Sequence, residues 1–227
     1  MNTSGTGTVF TIGYWVVLAT TLACTGLLLG DLRLRLRAPR PAAVALVAVV
    51  AVPSLIELGW HGIYTALYRA PDQIKDHHQY WRLLTGSIVQ DGGVVGTIFN
   101  LVVLFVIATL AVYAWGPVRA IGLFLVGVIG FNLTATFAFA SPGGGNSAAT
   151  IFLATSMVAL AAVRLRAGPA LAAAAVVVVA GAVLLAVNDA HGIPILGGLV
   201  IGAGLALASP ARDMGRPAAT QLSRYGD

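Results

Sequence analysis

Long apolar runs separated by short polar segments make up most of the chain. Seven runs approach or exceed the length that a helix needs to cross a bilayer. They are 9–30, 42–60, 93–115, 118–140, 147–163, 168–187 and 193–209. Because the runs are continuously apolar and do not alternate with polar residues, they predict helices and not the strands of a membrane barrel. The predicted fold class is therefore all-α, a polytopic membrane helix bundle.

The charges between these runs predict how the helices are oriented, because Lys and Arg favour the cytoplasmic side. Ten of the 13 basic residues fall on one side: Arg33, Arg35, Arg37, Arg40, Arg119, Arg164, Arg166, Arg212, Arg216 and Arg224. The other three, Arg69, Lys75 and Arg82, share one long loop, 61–92. We therefore predict that the N-terminus lies outside. Residues 1–8 carry no positive charge, so the first run is predicted to be a retained helix and not a signal peptide.

Composition excludes several classes of function. Hydrophobic residues make up 58% of the chain, charged residues 9%, and the mean hydropathy is +0.90, which indicates a membrane protein. The net charge of +5 follows mostly from the orientation signal, so it predicts no nucleic-acid partner. Cys24 is the single cysteine, so it forms no intrachain disulfide and no cysteine-based metal site. Residue usage rich in Ala, Val and Arg, with one lysine, is typical of GC-rich bacterial genomes.

One polar, glycine-dense segment, 141–150, lies between two apolar runs. Its Pro-Gly-Gly-Gly sequence does not continue a helix, whereas the residues from Ala148 onward do, so Asn146 and Ser147 are predicted at a helix N-terminus. Backbone N–H groups are unpaired there and the helix dipole favours negative charge, which suits an oxyanion. The segment alone is more typical of a capped turn between helices.

Other polar residues lie near the same predicted side of the membrane. Glu57 is expected within reach of water, and Asn100, about two helical turns deep, is expected either to join helices or to serve a site. His191 begins the last helix, preceded by Asp189, which is typical of a helix cap. Glycines four apart in that helix permit close packing on the helix of Ser147, which would bring His191 near the serine.

The loop 61–92 carries apolar and aromatic residues among its charges, so we predict short helices lying in the membrane interface there.

The chain resembles the rhomboid family of intramembrane serine proteases. The matching pieces are Trp81-Arg82-Leu83-Leu84-Thr85, Ile98-Phe99-Asn100-Leu101, Gly116 with Arg119, Gly145-Asn146-Ser147-Ala148, and Ala190-His191 with Gly198 and Gly202. The resemblance implies three parts: an N-terminal membrane helix with a basic loop (1–41), a six-helix core (42–209) and a cytoplasmic tail (210–227).

The resemblance also implies a chemistry. Ser147 would attack a peptide carbonyl, His191 would act as the base, and the oxyanion site would comprise the Ser147 N–H and Asn100, next to Gly145 and Asn146. Substrates would be single-pass membrane proteins in the lipid bilayer, cut from the extracytoplasmic side of the plasma (inner) membrane. No cofactor and no metal are implied.

Two alternatives stay open. Gly96 stands where the family usually has a histidine, Ala148 where glycine is usual, and the glycine register places the expected histidine at Ile195, one turn after His191. These departures favour an inactive rhomboid-like protein that binds transmembrane helices. The second alternative is a metal-dependent membrane hydrolase or metal transporter, because four histidines are predicted on one side with aspartates nearby: His61, His77, His78, His191, Asp72, Asp76 and Asp189.

Overall fold

The computed structural model describes residues 3–209, with side chains from Gly7 onward. Eleven helices form this part of the chain, and no strand is found within it. They are α1 (Thr3–Leu29), α2 (Leu32–Arg37), α3 (Pro41–Gly59), α4 (Gly62–Leu67), α5 (Pro71–Lys75), α6 (Arg82–Thr85), α7 (Gly93–Trp115), α8 (Pro117–Phe137), α9 (Ser147–Leu165), α10 (Gly168–Ala186) and α11 (Gly192–Ala208). The predicted all-α class is confirmed. The predicted tail, 210–227, lies outside the described residues.

Six helices of the described chain are long and apolar enough to cross a membrane: α1, α3, α7, α8, α9 and α10. The seventh predicted span corresponds to α11, which is apolar but has only 17 residues. The chain is thus a multi-pass helical bundle. The fourth run was predicted to reach residue 140, but α8 ends at Phe137, because Ser141 N–H bonds back to the Ala135 carbonyl and Ala140 turns at a φ of +47°.

The bundle is built around α9. Within an 18-residue window, 78% of α9 is buried, compared with 22% of α10 and 28% of α3. Helices α1, α7, α8, α10 and α11 all pack on α9. Its small residues, such as Ala154, Thr155 and Ser156, allow these neighbours to approach closely. The serine at the start of α9 is therefore carried by the most enclosed helix.

The contact between α9 and α11 is the most extensive in the bundle. A Cβ at Gly198 would collide with the carbonyl oxygen of Phe152 and the hydroxyl of Thr155, and one at Gly202 would lie 2.7 Å from the Ser156 Cα. Only glycine fits at these two positions. The expectation that the glycines of the last helix pack on the helix of Ser147 is confirmed, and it places the starts of both helices at one face of the bundle.

The segment between α3 and α7 contains the three short helices α4, α5 and α6, as its aromatic and apolar residues predicted. Arg82 is buried here: its Nε donates to Gln79 Oε1 at 2.7 Å, and its Nη1 donates to the Tyr68 carbonyl at 2.9 Å. The neighbouring Trp81 is 53% exposed. Arg82 thus fixes the fold of a segment that lies over the same face as the start of α9.

Candidate active site

The loop before Ser147 is held by the segment between α3 and α7. Arg69 and Gly143 exchange both backbone hydrogen bonds, at 2.9 and 3.0 Å, and Gly145 N–H donates to the Gly86 carbonyl at 2.9 Å. Gly144 N–H donates to Asp91 Oδ2 at 3.1 Å. Gly145 has a φ of +146°, which favours glycine. These contacts set the direction in which the chain enters α9.

Arg69 joins this loop to α8. Its Nε donates to the Ser141 carbonyl at 2.9 Å, its Nη1 donates to Asn132 Oδ1 at 2.7 Å, and its guanidinium lies 5.0 Å from the centre of the Phe131 ring. Burial lowers the pKa of Arg69, against the opposing effect of the Asp91 carboxylate. An arginine remains charged in such surroundings. The Arg69 side chain therefore links its own segment, the loop before Ser147 and helix α8.

A buried polar network centred on Gln90 supports the loop from below. Gln90 Nε2 donates to Asn146 Oδ1 at 2.8 Å and to Ser54 Oγ at 3.2 Å, and Gln90 Oε1 accepts from Asn100 Nδ2 at 3.0 Å. Its backbone N–H donates to Glu57 Oε2 at 2.8 Å. The amide of Gln90 is therefore shared among α3, α7 and the start of α9.

This network changes two expectations from the sequence. Glu57 was expected within reach of water, but it is 8% exposed, since its carboxylate is drawn inward by the Gln90 N–H. Asn146 is fully buried and does not line the cavity, and its Nδ2 donates to Thr150 Oγ1 at 2.9 Å. Asn146 therefore positions the loop before α9 and is not in a place to contact a substrate in the cavity.

Ser147 is the first residue of α9, so its backbone N–H has no partner within the helix. The point that a Cβ of Gly145 would occupy lies 4.0 Å from Ser147 Oγ and 4.0 Å from Asn100 Nδ2. Gly145 thus separates the hydroxyl from the amide without obstructing the space between them. Asn100 donates one amide hydrogen to Gln90, and no bond of its second hydrogen is found within residues 3–209.

His191 is the residue before α11 and is paired with Asp189. Its Nδ1 lies 2.8 Å from Asp189 Oδ1, and the same oxygen accepts the His191 backbone N–H at 2.9 Å. Burial would raise the pKa of Asp189, but the hydrogen bonds and charge of His191 outweigh that effect and lower it. Asp189 therefore both orders the start of α11 and orients the imidazole. Ile195, the other histidine register considered, is buried against Gly181 of α10.

These groups lie around a cavity of about 660 Å³ at one end of the bundle. Its walls include Ser147, His191, Asn100 and Gly145, four of the five predicted site residues. Gly96 also lines it, and a Cβ there would meet nothing within 4 Å, so the missing side chain leaves open space. None of the hydrogen bonds within residues 3–209 joins Ser147 to His191.

Within residues 3–209, no three His, Cys, Asp or Glu side chains form a group that would hold a metal ion. Two of the four histidines have aromatic neighbours of their own. His61 stacks on Tyr64 with ring centres 5.2 Å apart, and His78 Nδ1 lies 3.1 Å from the Tyr80 hydroxyl.

Three contributors to the site were missed from the sequence: Gln90, Asn132 and the ring of Phe10. Asn132 carried a usable signal, because a buried amide within an apolar run is costly unless it is bonded. Its Nδ2 donates to the Leu83 carbonyl at 2.8 Å. Gln90 lies in a loop, and Phe10 is an ordinary apolar residue of α1, so neither stands out in the printed sequence.

Comparison of the chain with models of known protein families, with curated proteins and with solved structures finds no match.

Proposed function

We propose that the protein is an intramembrane serine protease of the rhomboid type, which cleaves single-pass membrane proteins with Ser147 as nucleophile and His191 as general base. One observation carries the proposal. The two side chains line the same cavity, each at the start of a helix, and the two helices are in close contact. A nucleophile and a base held on one rigid pair of helices are what acyl transfer requires.

In the proposed reaction, His191 Nε2 takes the proton of Ser147 Oγ as the oxygen attacks the carbonyl carbon of the scissile bond. Asp189 holds the proton on Nδ1, so the imidazole presents Nε2 as the base. His191 then gives its proton to the leaving amine, and water from the cavity hydrolyses the acyl-enzyme. Catalytic hydrogen bonds commonly tighten only when substrate binds, so the serine and histidine are expected to close in that complex.

The oxyanion of the tetrahedral intermediate would be stabilised by the Ser147 N–H and the second amide hydrogen of Asn100. Both lie beside Gly145, which has no side chain to fill the space between them. With Gly96 in place of a further donor, the site is expected to be slower than one with three donors, because a single donor is typically worth about 10²–10³ in rate.

For its placement, we propose seven spans with α11 as the seventh, the N-terminus outside, and the cavity open to the extracytoplasmic side of the plasma (inner) membrane. The supporting observation is the distribution of basic residues in the sequence. Helices α9 and α11 begin at the end of the bundle that holds the cavity, and α8 and α10 end there.

The test is labelling of the protein in liposomes with a fluorophosphonate serine-hydrolase probe. Wild type is expected to label, and both Ser147→Ala and His191→Ala are expected to lose the label. The matched control is Ser141→Ala, in the same loop but outside the proposed chemistry, which should label as wild type. Labelling that survives in Ser147→Ala, or a wild type that stays unlabelled while an active intramembrane serine protease labels beside it, contradicts the proposal.

A second candidate is a rhomboid-like protein that binds transmembrane helices without cutting them. It is favoured by Gly96 and by the lack of a hydrogen bond between Ser147 and His191 in residues 3–209. An unlabelled wild type that still binds a single-pass membrane protein, measured by co-purification from mixed liposomes, would support this candidate over the protease.

A further inference from the structure

Helix α1 forms one wall of the proposed catalytic cavity. Gly7, Phe10, Thr11, Tyr14 and Trp15 all line it, together with Ser147 and His191. The Phe10 ring lies against the imidazole of His191, with ring centres 4.3 Å apart. A helix expected to be an accessory to the six-helix core thus reaches the base of the proposed reaction.

The same helix separates α7 from α10. On one side, Tyr14 and Trp15 contact the Phe99 ring of α7, with ring centres 5.7 and 5.5 Å apart. On the other side, a Cβ on Gly13 would lie 3.6 Å from Leu184 of α10. Toward the bundle, α1 buries a stripe at helical spacing: Tyr14, Val17, Leu18, Thr21, Cys24 and Thr25. Its opposite face is exposed, with Ile12 60% and Leu27 55% exposed.

Two buried hydroxyl groups lie on the side of α1 that faces the bundle. Tyr14 is 5% exposed and Thr21 is fully buried, yet within residues 3–209 neither hydroxyl has a hydrogen-bond partner. A buried hydroxyl without a partner makes the packing around it less favourable. An apolar groove also runs between α1 and α10, lined by Ile12, Val16, Val176, Val179 and Val183 among others. Helix α1 is therefore bordered by the apolar groove on the side of α10 and by the cavity near its first turns.

From these contacts, we infer that α1 occupies the docking surface of the substrate's transmembrane helix, and that substrate binds by displacing α1 from between α7 and α10. The inference rests on the proposed function, since a membrane-embedded substrate must bring its scissile bond to Ser147 from the lipid. The competing partner is an apolar helix parallel to α1, with small and aromatic residues at the end nearest the cavity.

The inference is tested first by locking α1 in place in the full chain. In a Cys24→Ala background, the pair is Gly13→Cys with Leu184→Cys: a Cβ at position 13 lies 3.8 Å from Leu184 Cγ, the point that a cysteine sulfur at position 184 would approach. The matched control is the single variant Gly13→Cys in the same background, which carries one thiol without its partner.

Oxidation of the Gly13–Leu184 lock should reduce cleavage of a single-pass reporter in liposomes about tenfold or more and leave fluorophosphonate labelling unchanged. Reduction with dithiothreitol should restore cleavage, and oxidation of the single-cysteine control should not affect it. Reporter cleavage at the same rate in the oxidised and reduced forms would overturn the inference.

A second measurement does not depend on catalysis and uses the Ser147→Ala protein. Spin labels at Ile12 and Val183, both exposed on the two sides of the groove, report the distance between α1 and α10. A synthetic peptide of residues 3–30 should add a longer distance, whereas a scrambled peptide of equal composition should not. An unchanged distance at saturating peptide overturns displacement of α1. An unlabelled wild type in the probe experiment overturns only the protease.

Discussion

His191 Nδ1 and Asp189 Oδ1 lie 2.8 Å apart, two residues from each other at the start of α11. The carboxylate fixes the orientation of the imidazole. Asp189→Asn keeps an acceptor for the backbone N–H and removes the charge. We expect the rate of fluorophosphonate labelling to fall about 10- to 100-fold, which is less than the roughly 10²–10⁴-fold that a positioned base contributes, because His191 itself is retained. A full labelling rate in Asp189→Asn would show that His191 acts without this pair.

The same pair predicts an acid-dependent loss of stability. The pKa of Asp189 is lowered by its hydrogen bonds to His191, so the folded state favours the ionised carboxylate. The resulting stabilisation is present above the usual aspartate pKa of about 3.9 and is lost as pH falls through the lower folded value. The difference in thermal midpoint between wild type and Asp189→Asn should therefore narrow from pH 5 to pH 3 in detergent. A difference in thermal midpoint that grows toward pH 3 would contradict a lowered pKa of Asp189 in the folded protein.

Gly198→Ala should destabilise the bundle. The new methyl group meets the Phe152 carbonyl oxygen and the Thr155 hydroxyl, and the backbone oxygen has no room to move. Overpacking of this kind typically costs about 1–3 kcal/mol. The measurement is the thermal midpoint in detergent. The control is Gly204→Ala in the same helix, where a Cβ meets nothing within 4 Å, and it should be neutral or slightly stabilising.

Gln90→Ala should destabilise the protein and also slow labelling. The change removes partners from Asn146, Ser54 and Asn100, and each buried polar group left unpaired costs about 1–3 kcal/mol. Asn100 also loses the acceptor that aims its amide. Thermal unfolding and the labelling rate report the two effects. Asp76→Ala, at an exposed position after α5 and outside this network, is the control and should change neither by more than a small fraction of that amount.

Arg69→Lys should loosen the loop before Ser147 without unfolding the bundle. A lysine has one point charge and cannot replace the bonds to the Ser141 carbonyl and Asn132 together. Faster hydrogen exchange over residues 141–146 is the expected result, measured by mass spectrometry. Arg119→Lys, at an exposed position near the start of α8, is the control. Unchanged exchange in Arg69→Lys would show that the backbone bonds hold the loop alone.

The membrane helices could be predicted from the sequence because the length of an apolar run is a local property. The run 93–115 and helix α7 coincide, and α9 begins at Ser147 as the glycine segment indicates. The common face of Ser147 and His191 followed from counting helices. These features need no knowledge of which helices touch.

The packing around the site could not be predicted in the same way. Gln90 bonds to residues 36 and 56 positions away, and such distant pairs leave no trace in one sequence. The position of α1 is another example, since an apolar helix with aromatic residues fits equally against lipid or protein. Asp189 was predicted as a helix cap, and its oxygen also bonds the imidazole of His191.

The enclosure of α9 has a consequence for how the protein responds to its lipid. Helices α3 and α10 present most of their surface outward, so a thinner or thicker bilayer acts on them first. The serine is carried by the helix with the least outward surface, and its depth is set by neighbouring helices. Hydrophobic mismatch should therefore tilt the periphery while the depth of Ser147 relative to His191 stays constant.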